Sequence, residues 1–290
     1  MPPGTLYLVA TPIGNLEDIT LRALRILGEV SFIACEDTRQ TRKLLDRHGI
    51  RTPTVSFHRF NEKRALHSLI QKLLSGKDLA LVTDGGTPSI SDPGFSLVRA
   101  ASAEGFRTVP IPGASAPLAA LVGSGLPAVR FSFFGFLPHR SGERQRLMES
   151  LRDRQETLIF FDSPRRVASS LEEMARIFGD RPGAICREMT KVHEEFRRGR
   201  LAELAEGLKG KTLLGEVTLV VGGAPEAPGQ PAGREVLLAE LEKEILETGL
   251  TRRDAVRALA LRRGLRRREV YRILKDSTRE AFKSGADESE

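Results

Sequence analysis

No apolar run in these 290 residues approaches the roughly 20 needed to cross a bilayer. The opening stretch, MPPGTLYLVATPIGNL, carries neither a basic leader nor the long apolar segment of a secretory signal. A cytoplasmic location without a membrane partner is therefore expected. Cysteine is scarce: Cys35 and Cys186 form no CxxC, and their apolar settings, FIAC and GAIC, predict buried thiols in a reducing compartment. The histidines (His48, His58, His67, His139, His193) show no HExxH and no ligand spacing shared with cysteine, so no metal is expected. A GxSxG elbow is missing too, which removes support for a serine-nucleophile hydrolase. Residues 205–212, AEGLKGKT, loosely imitate a phosphate-binding loop. They follow a helix-like run and precede a strand, the reverse of the order that chemistry needs. Gly123 to Ala128 imitate a GxGxxA fingerprint, but again after a helix, with Pro127 where free amides are required.

What is present describes a packed α/β protein. Apolar residues make up 40% and charged residues 29% of the chain, and its length allows two domains with a small third. The formal charge is +7, from 45 basic and 38 acidic residues. Between Thr251 and Lys275 ten basic residues face only Asp254 and Glu269, so this segment accounts for the whole excess. Such a footprint suits a polyanion such as nucleic acid; the plainer alternative is a solvated basic helix face.

Residues 1–112 alternate strand-like and helix-like runs. TLYLVATP, VSFIACED, DLALVTD and FRTVPIP read as strands. DITLRALRILGEV, opened by Asp18, reads as a helix, as do Arg42 to His48, Glu62 to Ser75 and Gly94 to Glu104. Uniformly apolar strands alternating with helices predict a mostly parallel sheet covered on both faces. A second α/β unit spans 113–223, with a helical SAPLAALVGSG and strands RFSFFGF, ETLIFFD, PGAICREM and GEVTLVVGG. The Gly/Pro/Ala run at 224–233 reads as a linker. Residues 234–290 read as a basic helical domain resembling a helix-turn-helix, its turn at Gly264 and its end, SGADESE, frayed.

Three strand ends concentrate small and backbone-exposing residues: Ala10 to Leu16, Cys35 to Arg39, and LVTDGGTPSISDPG at 81–94. In a doubly wound sheet ligands bind at the carboxyl ends of strands, so all three would face one crevice. An ordinary turn needs one glycine and one proline. Here Gly85 and Gly86 would let main chain approach a ligand, Pro88 and Pro93 would stiffen the loop, and free N–H and C=O groups would read the ligand.

These segments, with IPGASA, GFLPHRSGER, FFDSPRR, REMTKVHEEFRRG and GEVTLVV in the same order, closely resemble the ribosomal RNA small subunit methyltransferase I family. That family is similar to the tetrapyrrole (corrin/porphyrin) methylases. The resemblance spans roughly residues 4–223, with the helical tail as an extension. Asp162 stands where the family more often has Glu, Met189 where Leu is usual, and Gly85 where Ala is common. The resemblance implies two α/β domains of the tetrapyrrole methylase type enclosing a cleft, and a homodimer. It also implies S-adenosylmethionine-dependent 2′-O-methylation of a cytidine in the decoding region of 16S rRNA. Its donor pocket maps onto Pro12, Gly14, Gly86, Thr87, Ile90, Ser115, Ala116, Phe161 and Met189, with Thr218 near the adenine. The missing GxGxxG is then expected, because such a donor is held by loops from both domains.

Methyl transfer to a ribose hydroxyl requires alignment and a proton acceptor. Asp37, Asp84, Glu188 and Lys191 are the candidates. Lys191 would serve if desolvation and Arg187 lowered its pKa; otherwise it is a phosphate clamp. Glu36 and Asp37 beside Arg39 also fit a structural ion-pair network. For RNA, Arg140, Arg144, Arg165, Arg166, Arg187 and Arg197 form a basic set in the second unit, and Arg266, Arg267 and Arg268 one in the tail. The alternative is helix-surface arginines paired with Glu143, Glu149, Glu194 and Glu195. Two rivals stay open: a tetrapyrrole-type small-molecule methylase, which leaves the basic tail idle, and a non-catalytic RNA-binding protein, which leaves the glycine-rich strand ends idle.

Overall fold

A computed structural model describes residues 2–225, 234–263 and 265–275. The chain divides into two compact units, Met1–Ala224 and Pro225–Glu290.

The first sheet of the larger unit contains β1 (Leu6–Val9), β2 (Phe32–Cys35), β3 (Thr54–Ser56), β4 (Leu79–Leu81) and β5 (Thr108–Ile111), ordered β3-β2-β4-β1-β5. Every pairing is parallel. Period-two alternation splits neighbouring residues between the two faces. Ile33, Cys35, Ala80 and Val82 pack with Ala23, Ile26 and Leu27 of α1 (Leu21–Glu29) and Leu45 of α2 (Thr38–Arg47). Ala34, Leu79 and Leu81 pack with Leu69 and Leu73 of α3 (Glu62–Leu74) and Leu97 and Ala101 of α4 (Phe95–Ala103). Each fully buried leucine or isoleucine contributes roughly 1.5–3 kcal/mol. This two-sided burial explains why the strands contain scarcely a polar residue.

Several boundaries differ from the sequence reading. Asp18 does not open α1: it ends a short 3-10 turn, Leu16–Asp18, capped by Asn15, while the Thr20 hydroxyl accepts from the Ala23 amide and caps the helix. The α2 helix begins at Thr38 rather than Arg42, because the Asp37 carboxylate accepts the Arg39 amide and caps it. β3 escaped notice: it is three residues long and lies at the sheet edge.

The second sheet comprises β6 (Phe131–Phe136), β7 (Thr157–Asp162), β8 (Pro182–Arg187), β9 (Glu195–Arg200) and β10 (Val217–Val221), ordered β6-β7-β10-β8-β9. Only β6 and β7 run parallel; the other neighbours are antiparallel. One face packs on α6 (Ser141–Ser150), α7 (Val167–Phe178) and α8 (Leu201–Gly207). The other carries α5 (Ala116–Ser124) through Ala120 and Leu121. Ile13, from the loop after β1, also packs into this second cluster, so the two sheets meet there. β9 was unforeseen as a strand: EFRRGR has charges on both faces, which only an edge strand tolerates.

The smaller unit packs α9 (Arg234–Thr248), α10 (Arg252–Arg262) and α11 (Arg267–Lys275) around Leu237, Leu241, Val256, Leu259 and Val270. Thr251 caps α10 by accepting the Asp254 amide. Residues 226–233 of the expected linker, the turn at Gly264 and the terminal SGADESE lie outside the described residues.

Candidate active site

The carboxyl ends of β1 and β4 are stitched together before any ligand is considered. Gly86 donates its amide to the Thr11 carbonyl and its carbonyl accepts the Thr11 amide, both at 2.9 Å, while the Thr11 hydroxyl donates to the Thr83 carbonyl at 3.0 Å. The Gly86 amide and carbonyl are therefore engaged with Thr11 and are not among the free main-chain groups expected of this loop. Glycine is required there for another reason: Gly86 sits at φ +93°, and a Cβ on Gly85 would lie 3.2 Å from the Pro12 carbonyl oxygen. The glycine pair lets two loops touch, and the joined loops form one wall of a cleft.

The opposite wall comes from the second sheet. The Asn15 amide donates to the Thr190 hydroxyl at 3.1 Å, and Thr87 donates its hydroxyl to the Ala114 carbonyl at 3.2 Å. Between the walls lies a cleft of about 830 Å³. All ten positions assigned to a donor line it: Pro12, Gly14, Gly86, Thr87, Ile90, Ser115, Ala116, Phe161, Met189 and Thr218. Among the described residues, the non-glycine residues with left-handed backbone are Ser89, Ser91, Glu188 and Thr190. They flank Ile90 and Met189, one pair for each cleft-lining side chain. Such conformations cost of order 1–3 kcal/mol each and concentrate at functional sites, because the reversed flanks fix where the central residue points.

The cleft is mostly acidic. Asp84, Asp92, Asp162 and Glu216 line it, against Lys43 and Lys191. Asp162 is 2% exposed; its Oδ1 accepts from the Ser163 amide and from Arg166, whereas its Oδ2 is buried without a partner. Asp92 accepts the Thr83 hydroxyl at 2.7 Å. Burial raises its carboxyl pKa, helped by the negative charge of Asp84 and opposed by the Thr83 hydrogen bond and Arg59. Sequence reasoning missed Asp92. The only signal was a carboxylate inside the same stiff loop, between Ser91 and Pro93.

Three of the four proposed proton acceptors are corrected. Asp37 is absent from the cleft lining, and backbone and side-chain hydrogen bonds from Arg39 lower its pKa. Glu188 is held low by the Lys191 ammonium and the Glu216 amide. Lys191 shifts upward, not downward: desolvation is outweighed by hydrogen bonds to Glu188 at 2.8 Å and Glu216 at 3.1 Å. Its stem packs where a Cβ on Gly14 would fall, 2.4 Å from Cγ, so Lys191 braces the walls as a charged strut. Asp84 alone of the four keeps both a place in the cleft and solvent exposure, its Oδ1 accepting the Asp37 amide at 3.0 Å.

The arginines separate into two classes. Arg144 is corrected as an RNA contact: it is 5% exposed and its guanidinium is taken up by Glu173 at 2.5 and 2.9 Å. Arg166 is half-buried on Asp162 and the Leu137 carbonyl. Arg187 and Arg197 share Glu195. The pairing partners foreseen for these arginines were thus partly right, but Arg187 and Arg197 lie on strands, not helices. Arg140, beside Glu143, and Arg165 are exposed, as are Arg266, Arg267 and Arg268 in the smaller unit. Arg262 and Arg263 there pair with Glu244 and Glu240 of α9.

Residues 5–205 match the family described as tetrapyrrole (corrin/porphyrin) methylases. The ribosomal RNA small subunit methyltransferase I of Bacillus subtilis is 44% identical over 271 residues, covering 92% of this chain and 93% of its own. That of Mesorhizobium japonicum is 50% identical over 242 residues, covering 83% and 82%. The chain belongs to this family. Among solved structures, diphthine synthase superposes with a TM-score of 0.60 at 19% identity over 76% of this chain and 90% of its own. The uroporphyrin-III-C-methyltransferase of Thermus thermophilus gives 0.54 at 22% over 76% and 95%. At those identities the likeness concerns the fold. The tetrapyrrole methylase architecture of two α/β sheets around a cleft is thus established, with a helical unit following it. Among the described residues no helix is long and apolar enough to cross a membrane.

Proposed function

We propose that the chain transfers a methyl group from S-adenosylmethionine to the 2′-oxygen of a cytidine ribose in the decoding region of 16S rRNA. The observation that carries this reading is the cleft between the sheets, with all ten donor positions on its walls, in a chain whose relatives bear an rRNA methyltransferase name.

The residues present fit such a donor. It is cationic at sulfur and at its amino group, and the cleft offers an excess of carboxylates together with the unpartnered buried Oδ2 of Asp162. Phe161, Ile90 and Met189 supply apolar contact, and Thr218 a hydroxyl, for a heterocycle. When bound, S-adenosylmethionine supplies an electrophilic methyl carbon. The protein's own work is alignment, exclusion of water and removal of the hydroxyl proton. The joined loops at Thr11 and Gly86 and the strut at Lys191 keep both walls fixed, so the ribose oxygen meets a preorganised site. Asp92 serves as proton acceptor: burial raises its pKa, which makes its carboxylate a stronger base, and Thr83 holds one of its oxygens in place. Glu188 and Asp37, stabilised as anions, are poorer bases.

The electrostatics divide into two sets. The acidic lining suits the cationic donor, and the exposed Arg140 and Arg165, with Arg266 to Arg268 in the smaller unit, suit the RNA backbone. A homodimer is supported by α5: it is apolar on every side, with Leu118 and Val122 exposed, and such a helix face calls for a cover. Incubation with methyl-labelled donor and either small ribosomal subunits or free tetrapyrroles tests the reading. Label in rRNA that disappears with a 2′-deoxy target nucleotide supports it; label in a tetrapyrrole, or none, overturns it.

A further inference from the structure

One surface beside the cleft is unused by this reading. The loop after β3, Phe57 to Asn61, emerges at the same carboxyl edge of the first sheet as the cleft-forming loops. It is rigidly built. The Asn61 side chain accepts the His58 amide at 2.8 Å and donates to the Ser56 carbonyl at 3.0 Å, and the Asn61 amide donates to the His58 carbonyl at 3.0 Å. This pinned turn lifts Phe60 wholly into solvent, 99% exposed, with His58 edge-on to its ring at 6.0 Å. The α4 start presents Phe95, 68% exposed, and α4 is tied to the start of α3, which follows this turn directly, by the Ser96 hydroxyl donating to Glu62 at 2.5 Å. Neither ring packs a core, although burying one would be worth roughly 1.5–3 kcal/mol.

The surroundings say what the rings meet. Arg59, Lys63, Arg64 and Arg99 are exposed around them, and Arg59 acts electrostatically on Asp92 of the cleft. An aromatic face among cations is the combination that holds an unpaired nucleobase and its phosphate together. The chain contains no tryptophan, and among the described residues Phe60 is the most exposed phenylalanine or tyrosine ring. We propose that Phe60, with Phe95 of α4, is a stacking platform for an unpaired RNA base flanking the nucleotide held in the cleft, with Arg59, Lys63 and Arg64 on its phosphates. This rests on the RNA-methylating reading and adds a substrate-positioning site to it.

Phe60→Trp in the full chain places the sole indole at this point. Addition of an rRNA fragment containing the target cytidine is expected to quench its emission in step with binding. Phe60→Leu keeps an apolar side chain but loses the ring. RNA affinity should fall roughly 5- to 100-fold, the range for one stacked base, with donor affinity, oligomeric state and the slope of log affinity against log salt unchanged. Emission that stays constant while the RNA saturates the protein overturns the platform. So does full affinity of Phe60→Leu, or a loss that tracks subunit dissociation, which would make the ring a protein contact. If the unsubstituted chain methylates RNA yet the indole is silent, this inference alone falls; if it neither binds nor methylates RNA, the functional reading falls with it.

Discussion

Gly85 and Gly86 sit side by side in the same loop and are required to different degrees. Gly86 has φ +93° and both main-chain groups bonded to Thr11, so any side chain there is strained. Gly86→Ala is expected to cost roughly 1–2 kcal/mol and to weaken donor binding by opening the wall. A Cβ at position 85 is tight against the Pro12 oxygen at 3.2 Å, a gap that a few tenths of an ångström would relieve, and meets Ile13 Cα at an ordinary 3.6 Å. Gly85→Ala should therefore cost under about 1 kcal/mol; paired thermal melts and donor titrations compare the two. Asp92 gives a second test. Its pKa is raised by burial, so the fraction able to accept a proton, and with it the single-turnover rate, should climb as pH rises through that raised value. Asp92→Asn should lower the rate by about 10² or more and erase that limb of the profile. A carboxyl whose pKa is raised in the folded state costs the fold stability as pH climbs from the unfolded value through the folded one. The asparagine variant should then be at least as stable as its parent near neutrality. A slow variant that keeps the original pH profile would remove Asp92 from the chemistry.

Among the elements, the second sheet shows where a pattern reads differently in context. The first sheet was legible because two-sided burial forces continuous apolar strands, and glycine and proline at its strand ends marked the loops that face the cleft; the individual donor positions came only from the family resemblance. β9 was not, since an edge strand of charged residues has no periodic signature. The arginines of β8, β9 and α6 were ambiguous for a related reason: local sequence cannot show that Glu173, across an inter-helix gap, captures Arg144. The same holds for Lys191, whose partner Glu216 lies 25 residues away. Arg144 thus belongs to packing. Arg144→Met leaves Glu173 half-buried without its ion-pair partner, with only the Ser141 hydroxyl still donating to it, and removing one partner of such a pair costs roughly 3 kcal/mol or more. Differential scanning calorimetry should show the loss, while the salt dependence of RNA binding stays as in the parent. A flatter salt slope with unaltered melting would restore Arg144 as a phosphate contact.

At the level of the whole chain, the acidic cleft and the basic excess belong to different units. Carboxylates line the cleft, and the basic excess lies in the smaller unit, where Arg262 and Arg263 are already paired and Arg266 to Arg268 are exposed. Neutralising Arg266, Arg267 and Arg268 should weaken RNA binding and flatten its log-log salt slope by about one unit per lost phosphate contact, with donor affinity unchanged. An unaltered slope would leave the tail a solvated helix face. The central claim is that the cleft between the two sheets holds S-adenosylmethionine, and isothermal titration of the full chain with that donor tests it most directly. The expected result is one saturable site per chain, abolished or much weakened by Gly86→Ala, with stabilisation of roughly 2.7 kcal/mol at a hundredfold excess over Kd. Absence of heat and of thermal protection at saturating donor would contradict the account.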